Sequence, residues 1–452
     1  MHLHRRCEMG GNRFLPSKSY QLDRGRFENH LAAEVEAAGV TLLAGQRVKE
    51  IDIGSGDQPH RLQVEDAGQR REIAARWIFD GSGRAGLLKR KLGLAQESPH
   101  KAHAVWFRMD ASLRIDDHCA DPAWQARHHG AGQRWLSTVH LMGEGYWVWF
   151  IPLSSGATSV GIVTDSVLHP YDGLKNFELA CAWLEQYEPL AATMVKDQAD
   201  TLMDFAGYRS YSYGCKQLFS ERWALLGEAG FFLDPFYSPG SDFIGMGNTI
   251  AVDLLRRDLD GEDGVAQRAA FMNGILQSLF VNHLNIYHRQ YPLFANAKVM
   301  ATKVVWDFAY YWAVPAHLFF HGQLTNTTIY ARNRKGLEYI AELGSEVQEL
   351  FRRWHAIDDD PYAGEYVDVP EMPLMAQLNS ALMEENDNAA AISGLRNNIV
   401  LLEQIAAEIR DWLLANESRV DMTDLKLLPA CSSGEGNLLA PLWQGLFDVA
   451  RA

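Results

Sequence analysis

The sequence predicts an α/β chain: a three-layer domain first, an antiparallel sheet next, and a largely helical C-terminal region. Three observations predict it. Residues 24–79 run from helical spacing into short strands. Residues 102–163 hold four aromatic and β-branched runs close together. Beyond about residue 255 apolar residues recur at helical spacing over 267–284, 336–354 and 389–414.

The first region opens on Tyr20-Gln21-Leu22-Asp23, with Phe27, Leu31 and Val35 on one helical face. Asp23 is placed to cap that helix and Gly39 to end it. Residues 40–43 read as a strand, and 47–53 and 60–64 as two more across a Gly/Asp/Pro turn. Residues 71–79 then lead into Asp80 and a glycine turn. In the second region the strands are 104–109, 135–142, 145–152 and 158–164, followed by helices at 174–187 and 188–195. Trp223 to Leu226 returns the chain to the first region before a helix at 243–255.

Composition narrows the function classes. The 452 residues allow two or three domains, and 47% hydrophobic content is that of an ordinary globular chain. A net charge of -15 argues against a general nucleic-acid binder. No run of 18 apolar residues marks a membrane span. Cys7, Cys119, Cys181, Cys215 and Cys431 form no Cys-x-x-Cys pair, and the sixteen histidines, with His128-His129 in an expected loop, give no metal spacing. The start lacks a secretion signal, so the expected location is cytoplasmic.

The segment from Gly227 to Gly240 carries most chemical information. It reads Gly227-Glu228-Ala229, then Asp234-Pro235, then Ser238-Pro239-Gly240-Ser241 at a helix start. A strand ending in glycine and acid, then a tight turn under a helix N-terminus, suits a polar anionic ring system, and we read it as a flavin site. Gly81-Ser82-Gly83-Arg84-Ala85-Gly86 also spells G-x-G-x-x-G. No second strand closing on an acid follows about 20 residues later, so a cofactor-proximal turn is expected rather than a first Rossmann turn. Asp80 either contacts the cofactor or caps that turn.

Four segments together resemble the FAD-dependent aromatic-hydroxylase-like monooxygenases, and especially their flavin-dependent halogenase branch. Residues 20–27, with Arg24, look like that family's arginine-bearing helix entry. Asp80-Gly81-Ser82-Gly83-Arg84 is similar to its second glycine motif. Trp147-Val148-Trp149-Phe150-Ile151-Pro152 matches W-x-W-x-I-P, the most specific of the four. Gly227-Glu228-Ala229 to Gly240 resembles G-D-A…D-P…S-x-G, with Glu228 in the aspartate's place.

The resemblance implies an FAD enzyme in which reduced flavin, O2 and halide yield hypohalous acid for an electron-rich aromatic or carrier-bound substrate, with a separate flavin reductase as partner. Arg24, Asp80 to Arg84, Gly227 to Ala229, Asp234, Pro235 and Gly240 would hold the cofactor. Trp147 and Trp149 would screen the reaction chamber, and Ser238, Gly240 and Ser241 would line a halide pocket. A monooxygenase or reductase without halide, or an inactive homologue, are the alternatives. It also implies an incomplete FAD-binding domain: the first glycine fingerprint belongs well before Tyr20, with the family's lysine, for which Lys18 is the nearest substitute. The loop reads Phe236-Tyr237-Ser238-Pro239 without an acid, which argues against free tryptophan. The expected division is 1–101 partial FAD-binding domain, 102–200 substrate-side sheet, 201–260 returning segment and 261–452 helical region. A dense aromatic stretch, 306–312 and 317–320, lines a substrate pocket or packs helices.

Overall fold

The computed structural model describes residues 3–128, 134–364, 366–417, 419–431 and 437–447; His129 lies outside them. The chain divides into two compact units. One comprises Met1–Gln21, Lys101–Ser210 and Asn282–Ala452, the other Leu22–His100 and Tyr211–Val281.

The larger unit is built on a five-stranded antiparallel sheet. Its order is Leu202–Tyr208, Ala102–Met109, Thr158–Asp165, Tyr146–Pro152 and Val139–Gly143. Alternation gives the sheet two unlike faces. Val105, Phe107, Val148, Phe150, Val160 and Ile162 point into one core with Leu184, Ala191 and Val195 of the helices Phe177–Tyr187 and Pro189–Lys196. The opposite face carries Trp106, Trp147 and Trp149. The edge strand Leu202–Tyr208 is not legible in the sequence, because polar Asp204 and two small residues blunt its alternation. The strand expected from residue 135 begins at Val139, since Arg134–Leu136 forms a single helical turn.

The C-terminal region is largely helical, as the sequence indicates. Ala297–Tyr311, Thr327–Ile357 and Asn388–Asn416 are its main helices. Inside them Lys303 is buried, donating to Asp307 Oδ2 and Gln348 Oε1, each at 2.7 Å. The 306–312 part of the aromatic stretch belongs to this packing, with Trp306, Tyr310 and Trp312 buried, while Phe319 and Phe320 are exposed; the cavity beside Trp306 and Tyr310 holds about 10 Å³. That volume admits one water at most, not a substrate.

The smaller unit holds a meander of Arg47–Asp52, His60–Asp66 and Gln69–Ala75. Its second hairpin closes through Ala67 and Gly68, both at positive φ (46° and 84°), the geometry of a two-residue turn whose twist matches the strands. A second sheet sets Ile78–Asp80 parallel to Trp223–Leu225, with Phe219–Ser220 beyond. The helix Arg24–Ala37 ends before Gly39, which takes φ 88°. Asp23 occupies its N-cap position without a side-chain cap bond.

Residues 40–43 form no strand, because no neighbouring strand pairs with them. Val40 and Leu42 are exposed there. The Arg24–Ala37 helix likewise buries nothing: Phe27, Leu31 and Val35 are 42%, 43% and 41% exposed. Phe27→Lys, Leu31→Glu and Val35→Lys should therefore each change unfolding free energy by under about 0.5 kcal/mol, the usual range for surface sites. Together they should lower binding of an apolar dye; a loss above about 1 kcal/mol at any one would show that the stripe is packed.

Candidate functional site

The glycine turn after Asp80 is held from within. Asp80 Oδ1 accepts from the Ser82 amide at 2.8 Å and Oδ2 from the Leu88 amide at 2.7 Å. Ser82 Oγ accepts from the Leu87 amide at 3.0 Å. The acid thus caps the turn. Gly83 and Gly86 take φ 60° and 49°, conformations glycine adopts at no steric cost. The helix that follows, Leu87–Lys91, has five residues, and the next strand, Ala95–Glu97, pairs with Tyr213–Cys215 rather than with Ile78–Asp80. No βαβ unit surrounds this fingerprint.

The same turn delivers two cations to the loop at residues 227–240. Arg84 donates Nη1 to the Tyr211 carbonyl at 3.1 Å and lies 5.0 Å from the Tyr213 ring centre. Lys89 Nζ donates to the Gly230 carbonyl at 2.9 Å and sits 4.1 Å from that same ring centre. Burial lowers the Lys89 pKa from its ordinary value. Sequence spacing singled out Arg84 but not Lys89, which reads there as one of several basic helix residues.

The loop's own acids divide into an inward and an outward one. Asp234 is 1% exposed; its Oδ2 accepts from Tyr211 Oη at 2.5 Å and His100 Nε2 at 2.7 Å, and its Oδ1 from the Phe236 amide at 2.9 Å. It shapes the bend beside Pro235. Glu228 is half-buried, and among the described residues no hydrogen bond or ion pair engages its carboxylate. Its carbonyl accepts from Tyr213 Oη at 2.6 Å, which fixes the turn and leaves the side chain available. Gly227 takes φ 53°, and a Cβ there would lie 2.9 Å from Ile244 Cγ1. Ala229 is fully buried beneath.

Ser238, at φ 55°, turns the chain into the 21-residue helix Pro239–Leu259. Pro239 has no N–H to leave unpaired at that end, and Gly240 and Ser241 are exposed there. A Cβ at Gly240, or at Gly81, would meet nothing within 4 Å, so both backbones are open to a ligand. The helix end adds positive potential. Arg24 is not joined to this loop by any hydrogen bond or ion pair; its Nε and Nη2 donate to Glu28 at 3.0 and 2.7 Å on an exposed helix surface. Lys18 is likewise exposed.

The indoles belong to the larger unit, and there they share a sheet face. Trp147 and Trp149 ring centres lie 5.5 Å apart. Trp147 is buried and donates Nε1 to Tyr291 Oη at 3.0 Å; Trp149 donates Nε1 to Ser159 Oγ at 3.1 Å. Strand register puts Trp106, Gly161, Trp149 and His140 in one row across four strands. His140 packs edge-on against Trp147, 5.0 Å between ring centres. Nothing in the local sequence singles out this imidazole, since only the strand register reveals its neighbours.

Desolvation lowers the His140 pKa from 6.5 to about 4. The imidazole is uncharged at neutral pH, and its folded pKa lies below its unfolded one. The associated stability is therefore complete above about pH 6.5 and lost as pH falls towards 4, up to about 3 kcal/mol in all. His140→Gln should flatten that acid limb in denaturant titrations at pH 7 and pH 4.5. An unchanged pH dependence would show that the imidazole titrates normally.

Among the described residues no cluster of three or more His, Cys, Asp or Glu is arranged to hold a metal, and no helix is long and apolar enough to cross a membrane.

These two constellations, a capped glycine turn against an acid-bearing loop and a tryptophan sheet face, lie in the part of the chain that a known family covers. The family described as Tryptophan halogenase matches residues 13–266. The chain belongs to that family, the halogenase branch of the FAD-dependent aromatic-hydroxylase-like flavoproteins. It is 27% identical over 224 residues to a 1H-pyrrole-2-carbonyl-(peptidyl-carrier protein) chlorinase of Pseudomonas fluorescens, 49% of this chain and 47% of that one. It is 22% identical over 329 residues to the flavin-dependent halogenase chlA of Dictyostelium discoideum, 67% of this chain and 53% of that one. The chain thus spans about half the length of these curated relatives. Its fold resembles that of a variant of halogenase PltM solved with FAD, at TM-score 0.51 and 14% identity, covering 88% of this chain and 78% of the other.

Proposed function

We propose that the protein acts as a flavin-dependent halogenase on an electron-rich aromatic or carrier-bound substrate, drawing reduced FAD from a separate reductase. Support for a carrier-bound substrate comes from the Pseudomonas relative, named for a carrier-bound pyrrole. The absence of an acid between Phe236 and Pro239 weighs against free tryptophan.

The observation that carries the reading is the division of labour in the loop. Asp234 is spent on holding the bend, while the Glu228 carboxylate and the Gly240 backbone stay open to a ligand. That donor set suits FAD: a carboxylate for hydroxyl groups, backbone N–H groups at a helix end for anionic oxygens, and glycines that let the ring system approach. Arg84 and Lys89 raise the potential behind it. Bound FAD supplies the redox chemistry. The chain's contribution is to accept hydrogen bonds from ribityl hydroxyls at Glu228, hold a halide against the Gly240 amide and the Ser241 hydroxyl, and present an aromatic substrate with the flat face of Trp106 and Trp149.

Titrating the purified chain with FAD by fluorescence quenching tests the cofactor. Saturable binding is expected, weakened about tenfold in Glu228→Ala, the order of one lost charge-assisted hydrogen bond. No saturable quenching would overturn the reading. With FAD bound, supplying a flavin reductase, NADH, O2 and bromide with a panel of phenols should give brominated products. Hydroxylated products alone would favour a monooxygenase.

A further inference from the structure

Of the three glycines in the Gly81–Gly86 turn, only the last is pressed by a neighbour. A Cβ at Gly81 or Gly83 would meet nothing within 4 Å, but one at Gly86 would lie 2.9 Å from Lys89 Cε. The lysine stem therefore runs across Gly86, where a side chain would push it away. The turn's N–H groups, by contrast, are spent on itself. The Ser82 and Leu88 amides donate to Asp80, the Leu87 amide to Ser82 Oγ and the Gly86 amide to the Gly83 carbonyl. A phosphate cradle needs such amides turned outwards. What the turn delivers instead is Lys89.

Lys89 is 6% exposed, and its Nζ grips the Gly230 carbonyl at 2.9 Å. Tyr213 makes the matching contact two residues earlier, donating Oη to the Glu228 carbonyl at 2.6 Å. Its backbone also exchanges two hydrogen bonds with Phe232, at 3.0 and 2.9 Å. The two side chains hold one another as well, the ammonium 4.1 Å from the ring centre. A further tie runs from the Leu226 amide to the Asp80 carbonyl at 2.9 Å. Between these points Gly227–Ala229 is a single helical turn, with Ala229 fully buried. Holding the Glu228 carbonyl fixes that residue's ψ, and with it the direction in which its side chain leaves the backbone.

We propose that Gly86, Lys89 and Tyr213 form a positioning clamp that holds Glu228 in the pose that meets the cofactor, a role that rests on the flavin reading of the loop for its last step. The glycine fingerprint then serves the loop and not a phosphate: its third glycine is the channel for the lysine stem. Lysine and tyrosine act as one unit, because each supports the other as well as its own carbonyl.

Amide hydrogen exchange over residues 226–231 and FAD quenching, measured on the same intact proteins, test the clamp and its aim separately. Lys89→Met and Tyr213→Phe should each speed exchange there about tenfold, the order of one lost hydrogen bond to a charged or buried partner. Together they should do little more than either alone. Unchanged exchange in the strand His60–Asp66 shows that the unit stays folded. Gly86→Asn keeps a residue that tolerates the left-handed backbone, and should reproduce Lys89→Met. In Lys89→Ala, where the stem is gone, it should add nothing. Each clamp variant should weaken FAD about fivefold, but not in Glu228→Ala, where the side chain they aim is missing. A merely structural role would lower affinity equally in both backgrounds. Unchanged exchange in Lys89→Met and Tyr213→Phe would overturn the clamp, and equal FAD losses with and without Glu228 would overturn its aim. A natural chain that binds no FAD would overturn the flavin reading and the aim with it, while exchange alone decides the clamp.

Discussion

Asp234→Ala should destabilise the unit that carries it by about 3–5 kcal/mol and remove saturable FAD binding. The carboxylate accepts from Tyr211, His100 and the Phe236 amide, all buried. Deleting it strands three donors at once, each worth roughly 1–3 kcal/mol and not fully additive. Asparagine should fare little better, because its amide turns a donor towards one of those donors. Tyr211→Phe removes one donor and leaves the acceptor satisfied by the other two, so it should cost only about 1 kcal/mol. The decisive measurement is the cycle. In the Asp234→Ala background the Tyr211→Phe change should cost nothing or restore stability, a coupling expected of groups in contact. Amide hydrogen exchange over residues 226–241 locates the loss. Additive effects, or Asp234→Ala within about 1 kcal/mol of the natural chain, would show that the bend stands without its acid.

That triad marks the limit of what the sequence discloses. The loop, the glycine turn and the tryptophan strand are local patterns, so their residue types at fixed spacing were readable. The side-chain partners of Asp234 are not local: His100 is 134 residues away, and Tyr211 is 23 away in a stretch without periodicity. Lys89 and Tyr213 were hidden for the same reason. The antiparallel strands between 102 and 165 were legible because alternating apolar residues fill one core face. Residues 40–43 have the same composition and form no strand, because a strand exists only where a partner receives its hydrogen bonds. Arg24 shows another side of the same limit. A basic residue at a helix start fits a phosphate contact, and the sequence does not disclose that Glu28, one turn away on the same face, pairs with it here.

Gly161→Ala is the sharpest test of the aromatic face. A Cβ there would sit 2.1 Å from Trp149 Cζ2 and 2.3 Å from Cε2, far inside contact distance. Gly161 lies in the interior Thr158–Asp165 strand, where glycine weakens a sheet, so its place needs a reason. The reason is the indole lying across it from the neighbouring strand. Alanine should force the ring out, break its bond to Ser159 Oγ and cost about 2–3 kcal/mol net of the gain in backbone propensity. Tryptophan emission should move to longer wavelength as the half-buried ring is wetted. Trp149→Ala should make Gly161→Ala neutral or stabilising, since the clash disappears with the ring. If Gly161→Ala is tolerated with Trp149 in place, the indole does not rest on the glycine. The flat surface of that sheet face then owes nothing to that position. If it is not tolerated, glycine and tryptophan form one functional unit, and the W-x-W spacing alone does not build the face.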